Sequence, residues 1–163
     1  MSELATYTNT DSKRWRVLSR LRDNIAAISV AGGAFFTVKS ATVYAAQNLV
    51  LGADVPAAAV IPTSDRRVRA LACGEDEHSM SVSVIGVLRI EPQDNGWREN
   101  IHRLMADILS AIRKDIQLGG LAVYCEPTEF EILDTEGSGN RVLAVCEVAC
   151  TIVYRVAFSD PTV

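Results

Sequence analysis

The chain has 163 residues, of which 22% are charged and 48% are apolar, and its formal net charge at pH 7 is −4. This composition excludes a disordered polypeptide, and the length predicts one domain that buries about two-thirds of its unfolded surface. The negative charge argues against a dedicated nucleic-acid binder, and no run reaches the roughly 20 apolar residues of a membrane helix. Residues 1–11 are polar and lack the order of a signal peptide, so we expect a flexible N-terminal segment and a cytoplasmic chain.

Residues 12–30 predict the first helix, because apolar side chains recur at helical spacing. Asp11 or Ser12 suits the N-terminal cap, and Gly32-Gly33 suits the stop. The predicted buried stripe is Val17, Leu18, Leu21, Ile25 and Ile28. Basic residues occupy the other sides, namely Lys13, Arg14, Arg16, Arg20 and Arg22. They fit a solvated face, or a surface for an acidic partner or nucleic acid.

Residues 35–44 are rich in aromatic and β-branched side chains and predict a strand. The next segment, 53–62, contains Pro56 and Pro62. Because proline cannot donate a hydrogen bond to a neighbouring strand, we expect this segment at a sheet edge or outside the sheet.

Residues 63–79 have few large apolar side chains and predict a loop or a projecting arm. Basic residues come first and acidic residues follow: Arg66, Arg67 and Arg69, then Glu75, Asp76 and Glu77. Long connections often carry function. The acidic run beside His78 lacks the ligand spacing of an EF-hand or zinc site, so we predict a solvated or partner-facing segment.

Residues 80–90 alternate between apolar and polar and predict a half-buried strand. Residues 97–116 then predict a long amphipathic helix that ends before Gly119-Gly120. Its apolar stripe is Trp97, Ile101, Leu104, Met105, Ile108, Ile112 and Ile116. Its water-facing side is predicted to hold Arg98, Glu99, Arg103, Asp107, Ser110, Arg113 and Lys114.

A strand follows from Leu121, and its apolar phase slips by one residue beyond Pro127, which predicts a bulge or break. Residues 134–140 predict a hairpin loop, and 141–156 a long final strand. These elements predict an α+β fold, with a mainly antiparallel sheet of about four strands and two amphipathic helices packed on one face. The domain is expected to span 12–158, followed by a C-terminal tail at 159–163.

The second face of this sheet mixes polar side chains with a few apolar ones: Ile85, Val87, Leu143, Val145 and Val153. Such a face is typical of a polar-rimmed protein interface. It is equally typical of a solvent face with scattered apolar residues.

Catalytic patterns are missing from the sequence. The four cysteines form no CxxC pair and are expected to be small buried side chains. Glu126, Glu129 and Glu131 lack a second acidic group of fixed spacing that would complete a site. We therefore predict no enzymatic activity, no catalytic residue, no cofactor and no metal site.

Several segments together resemble the tail terminator proteins of long-tailed bacteriophages. They are the first helix at 17–25, the segment 55–61, the strand 81–88 and the helix 97–108. The most telling part is the helix 97–108 followed by Asp115-Ile-Gln-Leu-Gly-Gly-Leu121, and the family often closes this helix with an Asp-x-x-Leu-Gly-Gly turn before a strand, a hairpin and a long final strand.

The resemblance implies a structural virion protein of the tail and neck, assembled in the host cytoplasm. In that family a homo-oligomeric ring, typically a hexamer, caps the tail tube protein, stops its polymerisation and docks the head-side connector. DNA passes through the lumen without sequence-specific binding, and no membrane is involved. We hypothesise that Arg66, Arg67 and Arg69, with Glu75, Asp76 and Glu77, contribute to subunit or tube contacts.

Two alternatives stay open at this point. Another neck or head–tail connector component would share the fold and the virion location. A small cytoplasmic α+β enzyme or ligand-binding domain would instead present a concave polar pocket on a monomer or dimer.

Overall fold

The computed structural model describes residues 12–44, 54–90, 96–133 and 142–157. The predicted segment 1–11, the hairpin loop 134–140 and the tail 159–163 lie outside these residues. Two helices are described, α1 (Lys13–Ala26) and α2 (Trp97–Lys114). The strands are β1 (Ser40–Val43), β2 (Ala57–Ala70), β3 (Glu75–Ile90), β4 (Tyr124–Leu133) and β5 (Val142–Ala157).

The five strands form one mixed sheet in the order β1-β2-β3-β5-β4. Only β1 and β2 are parallel, and the other neighbours run antiparallel. The α+β class and the mainly antiparallel sheet are therefore confirmed. The sheet has five described strands rather than about four, because β2 includes residues predicted as an edge segment and a loop.

The expectation that segment 53–62 lies at an edge is wrong for Ala57–Val60, which pairs with β1 on one side and β3 on the other. Pro62 lies beyond the last residue paired with β1, and a register shift follows between Pro62 and Ser64. A bulged strand with one described neighbour tolerates a residue without an N–H group.

Residues 63–79 are also strands rather than an irregular loop. They form the distal halves of β2 and β3, with a turn at 71–74 that contains Gly74 at φ +82°. Cross-strand charge pairs stabilise such a hairpin without a buried apolar face, so the low apolar content concealed the strands.

The predicted strand 35–44 is shorter than expected. The backbone N–H groups of Phe35 and Phe36 donate to the carboxylate of Asp107 on α2, at 3.0 and 2.9 Å. Regular pairing with β2 begins only at Ser40. Asp107 itself was placed on the water-facing side and is instead 6% exposed, because it satisfies these two amides.

Both helices pack on the same face of the sheet, as predicted, and share one apolar core with it. The predicted stripe Val17, Leu18, Leu21, Ile25 and Ile28 is buried, but α1 ends at Ala26 rather than at residue 30, so Ile28 lies beyond the helix. Ser12 caps the start of α1 by accepting from the Trp15 N–H. In α2 the central stripe is buried, whereas Ile116 lies beyond the helix end and is half exposed. Neither described helix combines the length and apolar content needed to cross a membrane.

Candidate interaction surface

The six charged residues predicted to make contacts lie on the β2–β3 hairpin. Antiparallel register places Arg69 opposite Glu77, and Arg66 opposite Ser79. Side chains alternate across a strand, and the register shift between Arg67 and Arg69 brings Arg66 and Arg69 to the same face as Glu77, away from the helices. We call that surface the open face.

Most of these charges pair within the chain. Arg69 Nε donates to Glu77 Oε1 at 3.0 Å, and Arg155 Nε lies 3.4 Å from Glu77 Oε2. On the helix side of the hairpin, Arg67 Nε donates to Asp76 Oδ1 at 2.5 Å. The acidic half of the hairpin is thus largely neutralised by its own arginines.

Glu77 is 8% exposed and is shared by two guanidinium groups. The hydrogen bond from Arg69 lowers the pKa of Glu77; burial opposes this effect, and Arg155 reinforces it. Arg66 is exposed and forms no ion pair with the described residues. Arg69 and Arg155 therefore flank the Glu77 carboxylate, and Arg66 lies near them at this end of the open face. We call these three arginines the basic zone.

A second polar cluster lies on the helix side of the same hairpin, and sequence reasoning missed it. Asp65 Oδ2 accepts from the Tyr154 hydroxyl at 2.6 Å and lies 3.0 Å from Arg14 Nε on α1. Asp65 Oδ1 lies 3.4 Å from His78 Nδ1, and the rings of His78 and Tyr154 are 5.4 Å apart. Burial and the hydrogen bond to Asp65 raise the pKa of Tyr154. The cluster attaches α1 to the hairpin through Arg14 and Asp65. The Tyr154 hydroxyl is engaged as a hydrogen-bond donor to Asp65 and is not a free nucleophile.

The predicted basic surface of α1 is likewise engaged. Arg14 reaches Asp65, Arg20 Nε donates to Asp115 Oδ2 at 3.0 Å, and Arg22 pairs with the adjacent Asp23. A helix whose arginines bind carboxylates of its own chain presents a smaller positive surface than the sequence indicates.

The far end of the open face is apolar. Val55, Ala57, Ala59, Val87 and Val145 form a second, smaller buried cluster. Ile85 and Leu143 pack against it partly buried, and Val153 is buried nearer the basic zone. The mixed face predicted from sequence is thus partly a second core.

The third part of the open face is acidic and lies along β4. Glu126, Glu129 and Glu131 are exposed, and their partners on β5 are Thr151, Ala149 and Glu147. A register shift between Pro127 and Glu129 confirms the predicted bulge. The extra residue brings Glu126 and Glu129, three positions apart, to the same face. We call these three glutamates the acidic strip.

The described residues contain no group of three or more His, Cys, Asp or Glu side chains arranged to hold a metal ion. A groove of about 280 Å³ lies between α1 and α2 and includes Asp107 and Asp115. Both carboxylates already accept hydrogen bonds from their own chain: Asp107 from Phe35 and Phe36, and Asp115 from Arg20, Asn24 and Gly119. This groove offers a ligand little unused polar chemistry.

No protein-family model matches the chain, and no curated protein sequence matches it.

Proposed function

We propose that the chain is a tail terminator, a structural virion protein that forms a ring on the tail tube, stops tube polymerisation and docks the head-side connector. The proposal starts from the sequence resemblance. Support comes from the turn Asp115–Leu121, part of the most telling match, because the structure gives this turn a physical role.

The turn joins α2 to β4 through side-chain and backbone features that its residue types explain. Asp115 Oδ1 accepts from the Gly119 N–H at 2.8 Å, and Leu118 is fully buried. Leu118, Gly119 and Gly120 all have positive φ, at +49°, +66° and +85°. Glycine adopts this region at little cost, which explains the Gly-Gly pair.

Asp115 also connects this turn to α1. Its Oδ2 accepts from Arg20 Nε and from Asn24 Nδ2, each at 3.0 Å. One carboxylate therefore fixes both helices and the start of β4. The matching turn is therefore a specific structural feature of this chain and not only part of an amphipathic pattern.

The surface supports an assembly role over a catalytic one. The described carboxylates in the inter-helix groove are engaged by the fold, whereas the open face carries exposed charges of both signs in separate zones. A ring of identical subunits requires two different complementary patches on each copy. The basic zone and the acidic strip provide such a pair.

Two measurements test the function. Native mass spectrometry of the purified chain should give a closed ring of about six copies. Electron microscopy of particles made without the protein should show overlong tail tubes. Tubes of normal length that fail to join heads would indicate a connector instead. A lone subunit at every concentration, even with its tube protein added, would remove the proposal.

A further inference from the structure

We infer that the ring is built head to tail, with the basic zone of one copy against the acidic strip of the next. The inference rests on the proposed function, because it takes the partner to be a second copy of this chain. It differs from the sequence-based hypothesis in the acidic partner. Asp76 and Glu77 are already paired with Arg67 and Arg69. Arg66 has no ion-pair partner among the described residues, and Arg155 shares Glu77 with Arg69, so the basic zone keeps an excess of positive charge for other carboxylates.

The two zones are too far apart to pair within one copy. Arg66 and Arg69 lie on β2, three strand spacings from β4, which is about 14 Å across the sheet at roughly 4.8 Å per spacing. Arg155 lies on β5 beside β4, but it is four residues from Thr151, the partner of Glu126, which is about 13 Å along the strand at roughly 3.3 Å per residue. Glu126, Glu129 and Glu131 form no ion pair with the described residues.

Arg66 and Arg69 of the basic zone, and the whole acidic strip, lie on strands whose outer side has no strand partner at these positions among the described residues. Among the described residues, β2 has no outer neighbour beyond Val60, and β4 has β5 as its only strand partner. Within the basic zone, the exposed apolar side chain of Val68 (52% exposed) lies between Arg66 and Arg69. Opposite charges on the two zones, with an exposed apolar group in one of them, suit a specific contact with a second copy.

The contact should use side chains rather than added backbone pairing. Pro127 and the adjacent bulge interrupt β4, and β2 has register shifts after Pro62 and after Arg67. Prolines, bulges and charges protect edges from strand addition. A lateral contact of this kind uses one zone of each copy and leaves the other free for the next copy, so successive contacts close a ring.

Charge reversal tests the pairing. The acid-reversed variant is Glu129→Lys with Glu131→Lys, and the base-reversed variant is Arg66→Glu with Arg69→Glu. In either variant alone, like charges meet at every junction, and we expect the ring mass to be lost. Mixing the two variants restores opposite charges at each junction, and we expect rings that contain both in equal numbers.

A matched control reverses two exposed basic residues at the end of α2, Arg113→Glu with Lys114→Glu, on the helix side of the molecule. It should keep the wild-type ring. Circular dichroism verifies folding of each variant. Because Arg69 also pairs with Glu77, the acid-reversed variant, which breaks no described ion pair, remains informative if the base-reversed chain misfolds.

The outcomes separate the two proposals. A wild-type ring that both reversed variants retain overturns the head-to-tail pairing and leaves the tail terminator function standing. A wild-type dimer also overturns the head-to-tail ring. In such a dimer two copies face each other and pair both of their zones, so no zone is left for a third copy. A wild-type chain that never assembles overturns the function itself. Salt gives a further check, since raising sodium chloride from about 0.05 to 0.5 M should weaken the ring by screening exposed charges.

Discussion

Gly86 of β3 lies directly beneath Ile108 of α2, and a Cβ atom added at Gly86 would come within 2.8 Å of Ile108 Cδ1. It would also lie 3.0 Å from Cys146 Sγ and 3.1 Å from Leu104 Cδ2. Close approach of the helix to the sheet therefore requires a residue without a side chain at this position.

We expect Gly86→Ala to lower the free energy of unfolding by about 1–3 kcal/mol, because overpacking forces neighbouring side chains from their preferred positions. Urea denaturation at one fixed protein concentration measures the change. Ser81→Ala, at an exposed position of the same strand, is the control and should leave stability nearly unchanged. Equal stability of the two variants would mean that α2 does not pack this closely.

Asp107 on α2 holds the segment between α1 and β1, because its carboxylate accepts from the consecutive backbone amides of Phe35 and Phe36. Asp107→Ala leaves both donors without this partner, and we expect a loss of about 2–4 kcal/mol. Asp107→Asn keeps one acceptor oxygen and should lose less. Hydrogen exchange of the Phe35 and Phe36 amides should accelerate in the alanine variant, while Glu99→Ala on the exposed side of α2 should leave it unchanged.

Asp107 also illustrates what the sequence could not predict. Helical periodicity predicts most of the apolar stripes of both helices, Ile116 excepted, because burial of an apolar face repeats every three to four residues. A buried carboxylate does not follow that pattern, since its position depends on amides from a distant segment. The same reasoning explains Asp65, whose partners Tyr154 and Arg14 come from the last strand and the first helix.

The candidate surface was predicted in part. The charges at 66–77 were recognised, but composition cannot reveal that Arg69 and Glu77 lie opposite each other in a hairpin. The sequence predicts no completed acidic site at Glu126, Glu129 and Glu131. Their common face follows from the bulge after Pro127, and their separation from the arginines follows from the strand order. Long-range pairing of this kind leaves no local signal in the sequence.

Asp115 should contribute to the acid sensitivity of the fold. The backbone hydrogen bond from Gly119 lowers its pKa, with further contributions from Asn24 and Arg20 that outweigh burial. A carboxyl with a lowered folded-state pKa stabilises the fold above its unfolded pKa of about 4, and this stabilisation is lost as pH falls through the folded value. Melting temperatures between about pH 7 and pH 3 should therefore fall less steeply for Asp115→Asn than for the wild type.

The asparagine variant should also be less stable than the wild type at pH 7, because it loses the charge that Arg20 neutralises. Asp23→Asn is the matched control, since Asp23 pairs only with the adjacent Arg22 among the described residues. Its pH profile should follow the wild type. Identical pH slopes for Asp115→Asn and the wild type would contradict the role assigned to this turn.

Cysteine reactivity reports on the packing of the same sheet. Cys125, Cys146 and Cys150 are buried and Cys73 is exposed, so the predicted burial is confirmed for three of the four. Burial raises the pKa of Cys146 to about 12, and the hydrogen bond with Cys125, together with burial, raises the pKa of Cys150. Thiolate is the reactive form, so both side chains should be inert in the folded protein.

An aromatic disulfide reagent near pH 8 should label Cys73 rapidly, while the three buried thiols react only after denaturant is added. Cys73→Ser should remove the fast phase completely and leave the slow phase intact. A fast phase that persists in this variant would mean that the β4–β5 side of the core opens readily. At one fixed denaturant concentration, the slow phase should be faster in Gly86→Ala than in the wild type. The added methyl group lies next to Cys146 Sγ and disturbs the packing that protects this thiol.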